Sequence, residues 1–321
     1  MTSPVGTLSG TRIGAYLVEG KLGKGGMGDV YRAVDERSGR MVALKVLGET
    51  RAQSEALLAR FEREWRVLRD VVHPNVVTLL DWPHDQRKTT YFVMELLEGQ
   101  TLDARLDGGV ALDLPVFFET MVQIGDGLVA VHGAGIVHRD VKPENIFLTS
   151  GDPPVAKLLD FGLARVQKSQ ITGAGTLVGT PSYVAPEQIT GDAVDARADI
   201  YSFGLVMYRA LTGHHPFAND DQVTTLGHQL LSPPPPPSWL REEIAPQLEA
   251  LILRMLRKKP EDRPRSMVEV VATLHLLAHG DIDDNEGARA SNPPDDRYGP
   301  LNPLAESLVK RTLSRKGFKT E

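Results

Sequence analysis

The sequence predicts an α+β chain in two lobes. A small, mainly antiparallel β lobe with one key helix covers about residues 13–95, and a larger, mainly helical lobe covers about 101–280. Two patterns carry that prediction. From Ile13 to Glu95, runs rich in β-branched and aromatic residues alternate with turn signals and are broken by one helical stretch. From Thr101 to Gly280, apolar residues recur at helical spacing, with polar loops between the periodic segments. With 321 residues, 41% hydrophobic and 24% charged, the chain is long and apolar enough for one bilobal domain or two small ones.

Residues 1–12 are small and polar and read as a flexible lead. The first informative element is GKGGMGDV, Gly23 to Val30, which spells G-x-G-x-x-G. In dinucleotide-binding folds that spelling sits between a strand and a helix, whose N-terminus holds the pyrophosphate. Glu49, about 20 residues past the glycines, stands where such a fold places its ribose-binding acid. The residues between argue for a hairpin instead. Val30, Tyr31 and Val34 are strand formers, Ser38-Gly39 is a turn signal, and Met41 to Leu47 is strand-like again.

Lys45 closes that second strand, in VALK. In the following EALLARFEREWRVLRD, Leu57, Phe61 and Leu68 mark one face at helical spacing, and Glu64 falls within the same stripe. A carboxylate on a buried face is costly unless paired, and Lys45 is its natural partner. A second helix, with apolar Leu114, Phe117, Met121, Ile124, Leu128 and Val131, leads into HRDVKPENIFL. There Asp140 precedes Asn145 by five residues. LLDFGLA follows with Asp160, then GTPSYVAPE from Gly179 to Glu187.

Taken together, GKGGMGDV, VALK, HRDVKPEN, DFG and APE resemble a eukaryotic-like (Hanks-type) bacterial serine/threonine protein kinase, from about Ile13 to His279. The resemblance implies the bilobal protein kinase fold, ATP as cosubstrate, and Mg²⁺ as cofactor, with Mn²⁺ able to replace it. It places Gly23, Lys24, Gly25, Gly26 and Gly28 over the phosphates, and Val30, Ala43 and Phe147 around adenine. Met94, Glu95 and Leu97 would form the back wall and hinge. Lys45 would touch the phosphates and pair with Glu64. Asp140 would orient the acceptor hydroxyl and take its proton, with Lys142 beside it marking Ser/Thr rather than Tyr specificity. Asn145 and Asp160 would hold the metal.

The same likeness gives support roles to other residues. Thr180 would help form the acceptor-hydroxyl site, Glu187 would pair with Arg263, and Asp199 would hold the catalytic loop from below. Leu68, Leu79, His138 and Phe161 match side chains that stack in active members. Arg139, before Asp140, marks kinases switched on by loop phosphorylation, and Thr172 is the first choice of site, with Thr176 second.

Four functions compete: an active protein kinase, a nucleotide-binding pseudokinase or scaffold, a small-molecule phosphotransferase and an oxidoreductase. Lys45, Asp140, Asn145 and Asp160 are all present, which favours the first. GTPSYVAPE and Arg263 imply a peptide platform, hence protein substrates with Ser/Thr acceptors.

A net charge of −6 disfavours nucleic acid as a partner, and zero cysteines exclude disulfides and thiolate chemistry. No secretory leader is evident and no apolar run approaches about 18 residues, so the expectation is a soluble, cytoplasmic chain without a membrane span. Its input would then come through a partner, self-association or its own tail, and relatives of this class suggest a homodimer through the small lobe. The run Pro233–Pro237 reads as a stiff loop ahead of helices after Ile244. Residues 281–300 carry six acids against two bases and read as a disordered acidic linker. Residues 301–321 reverse to five bases against two acids, with Thr312 and Ser314 embedded among them.

Overall fold

A six-stranded antiparallel sheet of order β1-β2-β3-β4-β6-β5 forms the first part of the chain. Its strands are β1 (Arg12–Ile13), β2 (Tyr16–Gly25), β3 (Gly28–Asp35), β4 (Met41–Leu47), β5 (Leu79–Asp81) and β6 (Tyr91–Glu95). The structure, a computed structural model, describes residues 8–25, 28–47, 65–82, 91–160, 181–219 and 221–280. It divides into two units, Met1–Gly99 and Gln100–Glu321.

The sheet explains itself by alternation. Tyr16, Val18, Tyr31, Ala33, Val42, Leu44, Tyr91 and Val93 form one buried cluster. Successive side chains of a strand point to opposite faces. The intervening residues Val30, Ala43, Lys45, Phe92 and Met94 therefore share the other face, and their cross-strand partners agree: Val30 opposes Lys45, Ala43 opposes Met94, and Lys45 opposes Phe92. The β3–β4 turn closes at Gly39, which adopts φ 71° and donates its N–H to Asp35 O at 2.7 Å. That left-handed conformation favours glycine, so Ser38-Gly39 is the turn that the strand pattern requires. Glycine turn and second strand thus form strand–turn–strand, and the dinucleotide alternative lacks its helix.

The second unit is mainly helical. Its helices are α1 (Leu102–Arg105), α2 (Leu114–Gly133), α3 (Pro186–Thr190), α4 (Arg197–Thr212), α5 (Gln222–Leu231), α6 (Pro246–Met255) and α7 (Met267–His279). A small sheet of β7 (Gly99–Thr101), β8 (Ile146–Thr149) and β9 (Ala156–Leu158) accompanies them. On α2, Phe117, Met121, Ile124, Leu128 and Val131 are fully buried. Close approach of α7 is permitted by Gly125, where a Cβ would lie 2.5 Å from Val271 Cγ2. By length and apolar composition, α2 alone among the described residues could cross a membrane, which the sequence reading did not anticipate. Its apolar stripe is instead core, and it packs against α7, β9 and α4. Helix α4 is buried along nearly its whole length. In the proline run, Pro235 and Pro237 are buried and a 3-10 turn at Pro237–Trp239 precedes α6, so the run is a packed connection.

Candidate active site

In the small unit, Lys45 is 1% exposed on the face opposite the apolar cluster, with its Nζ 5.8 Å from the ring centroid of Phe92. Val30 lies directly across from it, and Gly23 lies across from Val30, so the glycine hairpin and the lysine occupy neighbouring strands. Ala43 and Met94 form the next pair on this face, both buried. Glu95 accepts from the Thr78 N–H through Oε1 at 2.8 Å, which fixes the end of β6, and half-buried Leu97 follows. Gly26, Glu64 and the side chain of Lys24 lie outside the described residues, as does Glu49.

In the large unit, the loop His138–Asn145 is organised around Asp199 of α4. The Asp199 carboxylate is fully buried and accepts the backbone N–H groups of His138 and Arg139, both at 2.7 Å. His132, in the last turn of α2, reaches the same carboxylate at 2.8 Å. These bonds hold Arg139 at φ 63°, a conformation that costs a non-glycine residue about 1–3 kcal/mol. Gln188 of α3 adds a bond to the Arg139 carbonyl at 3.1 Å.

The strained residue aims Asp140. One carboxylate oxygen, Oδ2, is met by Lys142 Nζ at 3.0 Å and by Asn145 Nδ2 at 3.0 Å. Asn145 Nδ2 also donates to the Asp140 carbonyl at 2.8 Å, which turns the amide so that Oδ1 remains an acceptor. The Leu159 N–H donates to the Asn145 carbonyl at 2.8 Å, and β8 and β9 pair just beyond, so Asp160 follows directly at φ 40°. Phe147 sits on β8, half-buried.

His138 is buried, and burial pushes its pKa down. Its Nδ1 accepts from the Asp140 N–H at 3.3 Å while Nε2 donates to the Leu159 carbonyl at 2.9 Å, so both nitrogens suit the neutral ring. The imidazole therefore ties the loop that carries Asp140 to the residue before Asp160.

Past residue 180, the chain is pinned from several sides. The Ser182 carbonyl accepts from His215 Nε2 at 2.8 Å and from Gln229 Nε2. The Tyr183 carbonyl accepts from Ser202 at 2.7 Å, and its hydroxyl meets Arg209, which pairs with Asp103 at 2.7 Å. Glu187 and Arg263 form a buried ion pair. Phe161, Thr172, Thr176 and Thr180 lie outside the described residues. Sequence reasoning missed His132, Gln188, Arg209, His215 and Gln229, because none sits in a motif and only packing shows their targets.

Residues 16–275 match the protein kinase domain family. The chain belongs to that family. Among curated relatives, the kinase is 41% identical to the serine/threonine-protein kinase Pkn1 of Myxococcus xanthus, over 81% of this chain and 38% of the relative. It is 37% identical to the serine/threonine-protein kinase PknL of Mycobacterium tuberculosis, over 82% of this chain and 65% of that one. It thus spans well under two thirds of some curated relatives it matches, such as Pkn1 and the 52% matched of Pkn3 from Myxococcus xanthus. Among solved structures, the kinase domain of PknI from Mycobacterium tuberculosis superimposes with a TM-score of 0.67 at 28% identity, over 83% of this chain and 98% of that one. The chain therefore has the protein kinase fold, and its family uses ATP and a divalent metal.

Proposed function

We propose that this chain transfers the γ-phosphoryl group of ATP to serine and threonine hydroxyls of proteins, and modifies its own activation loop at Thr172 or Thr176. The observation that supports it best is Asp140, a carboxylate on a strained loop with Lys142 and Asn145 both directed at Oδ2. Asp140 orients the acceptor hydroxyl and accepts its proton as the new oxygen–phosphorus bond forms and ADP leaves. Lys142 offsets charge beside it. The backbone of Gly23–Gly28 and the Lys45 ammonium hold the phosphates, and Val30, Ala43 and Met94 offer an apolar face to adenine, with Glu95 and Leu97 at its edge.

Asn145 and Asp160 suit Mg²⁺, since an amide oxygen and a carboxylate are the hard oxygen donors that ion prefers. When bound, the ion supplies charge neutralisation at the phosphates. Among the described residues no group of three His, Asp or Glu side chains is assembled, so nucleotide oxygens would complete the shell. The buried lysine, the intact loop and the pinned segment past residue 180 favour catalysis over a scaffold role. A homodimer through the small unit belongs to the same reading and rests on the family resemblance, while cytoplasmic residence rests on the reading of composition and apolar runs in the sequence.

The test is phosphate transfer from labelled ATP to a generic protein acceptor, with phosphoamino-acid analysis and with Mn²⁺ substituted for Mg²⁺. Phosphoserine or phosphothreonine that disappears in Asp140→Asn supports the proposal. Nucleotide binding without any transfer would point to the scaffold.

A further inference from the structure

A run of three buried aromatic rings in the small unit ends at Lys45. Trp65 directly follows Glu64 in the sequence and begins the described helical residues 65–69. Its indole meets Trp82 edge-on, with centroids 5.6 Å apart and planes at 66°. Trp82, just after β5, lies nearly parallel to Phe92 of β6, at 6.3 Å and 13°. Phe92 is the cross-strand partner of Lys45, whose ammonium sits over its ring at 5.8 Å. All three rings are at least nine-tenths buried.

We propose that Trp65, Trp82 and Phe92 are positioning residues for phosphotransfer. The ladder fixes the helical segment after Glu64 against the strand that carries Lys45, so the placement of that helix is felt at the ammonium. Aliphatic packing could fill the same volume, but edge-on and parallel ring contacts also fix orientation, because the ring quadrupole makes them directional. A cation over a ring is held by the same field, so Lys45 is steered by the last rung. Trp82 is the decisive rung, since it touches both neighbours. The inference rests on the phosphate-binding role proposed for Lys45.

Trp82→Leu and Trp82→Phe, made in the full chain, test it. Trp82→Leu should lower kcat/KM for ATP by about tenfold at a temperature where thermal melts show it folded. Trp82→Phe keeps a ring in place and should return kcat/KM to within about twofold of the parent. Added to Lys45→Met, Trp82→Leu should have little further effect, because the ladder acts through the lysine.

A purely structural role would lower the melting temperature and leave kcat/KM of the folded protein unchanged, which would overturn the proposal. Full additivity with Lys45→Met would overturn it too. If Trp82→Leu fails to fold, Trp65→Leu and Phe92→Leu carry the same expectation, and parental kcat/KM in both sinks it. Parental kcat/KM in Lys45→Met would instead defeat the role given to Lys45. Failure of the ladder alone leaves Lys45→Met impaired and the tryptophan variants active.

Discussion

Glu187 and Arg263 meet in a two-pronged buried ion pair, Nη1 to Oε1 at 2.7 Å and Nη2 to Oε2 at 2.8 Å. The remaining guanidinium N–H groups donate to the carbonyls of Arg197, Arg257 and Lys258, and the ring of Tyr201 lies 4.9 Å away. Every donor of this arginine is therefore satisfied inside the protein. The pair fastens the segment past residue 180 to the loop between α6 and α7.

Removing either partner should be severe. Glu187→Ala or Arg263→Ala leaves a buried charge uncompensated, and a loss of about 3–5 kcal/mol is expected from urea denaturation. Arg263→Lys should not rescue it, because one ammonium cannot reproduce five donors in a plane. Stability unchanged in Glu187→Ala would show that the pair is not the anchor described.

Asp140→Asn should leave Mg-ATP binding nearly intact and cut kcat by roughly 10²–10⁴-fold, the usual contribution of a positioned base. The asparagine keeps the size of the side chain but sets an N–H₂ group toward Lys142 and the Asn145 amide, so hydroxyl alignment suffers as well. Single-turnover transfer and equilibrium binding, measured side by side, separate the two effects. Retention of most of the turnover would remove Asp140 from its role.

Acid should loosen the large unit. His138 is buried and His215 half-buried, and desolvation pushes both pKa values below the ordinary histidine value, for His215 to about 4. His215 resembles His138 in detail: Nε2 donates to the Ser182 carbonyl and Nδ1 accepts from the Phe217 N–H at 3.1 Å. The unfolded chain binds these protons first, so their contribution is complete above the unfolded value of about 6.5 and is lost as pH falls toward the folded values. Melting temperature should therefore fall below about pH 6.5. His215→Gln, which retains a donor without titrating, should flatten that slope.

Half-buried Lys258 adds a trend on the alkaline side. Its pKa is pushed down to about 7 by burial, with nearby Arg263 adding to the effect. A lowered folded value means that the unfolded state holds the proton longer, so stability gained from this group rises from about pH 7 toward the unfolded value near 10. Its ammonium lies 4.2 Å from the Phe217 ring centroid and donates to the His228 carbonyl at 3.2 Å. Lys258→Met should remove the trend and cost little at neutral pH; an unchanged pH profile would assign it to other groups.

A Thr172→Ala, Thr176→Ala double variant should lose most activation by preincubation with Mg-ATP. Phosphate on either residue would bring about two negative charges toward Arg139. Phosphosite mapping after incubation checks the sites directly, and Thr312 and Ser314 in the basic tail are expected among them. Full activity in the double variant would defeat the loop assignment, and absence of phosphate in the tail would leave it as solvated chain.

Much of this molecule was written locally. The turn at Ser38-Gly39 follows from a glycine between two strand-forming runs, and the shared face of Val30, Ala43 and Lys45 follows from a period of two along each strand. Asp140 and Asn145 sit in one loop, and the resemblance carried by HRDVKPEN gave each its role. The tertiary structure decided the rest. Asp199 lies 60 and 61 residues from the N–H groups it accepts, Glu187 lies 76 from Arg263, and Asp103 lies 106 from Arg209. Resemblance supplied some of those partners; composition and periodicity supplied none. A helical period tells which face is buried but not what it is buried against, and no pattern predicts that three aromatic rings will line up beside a lysine. Such contacts arise only when packed faces bring distant side chains within hydrogen-bonding or van der Waals reach, where directional forces select one arrangement.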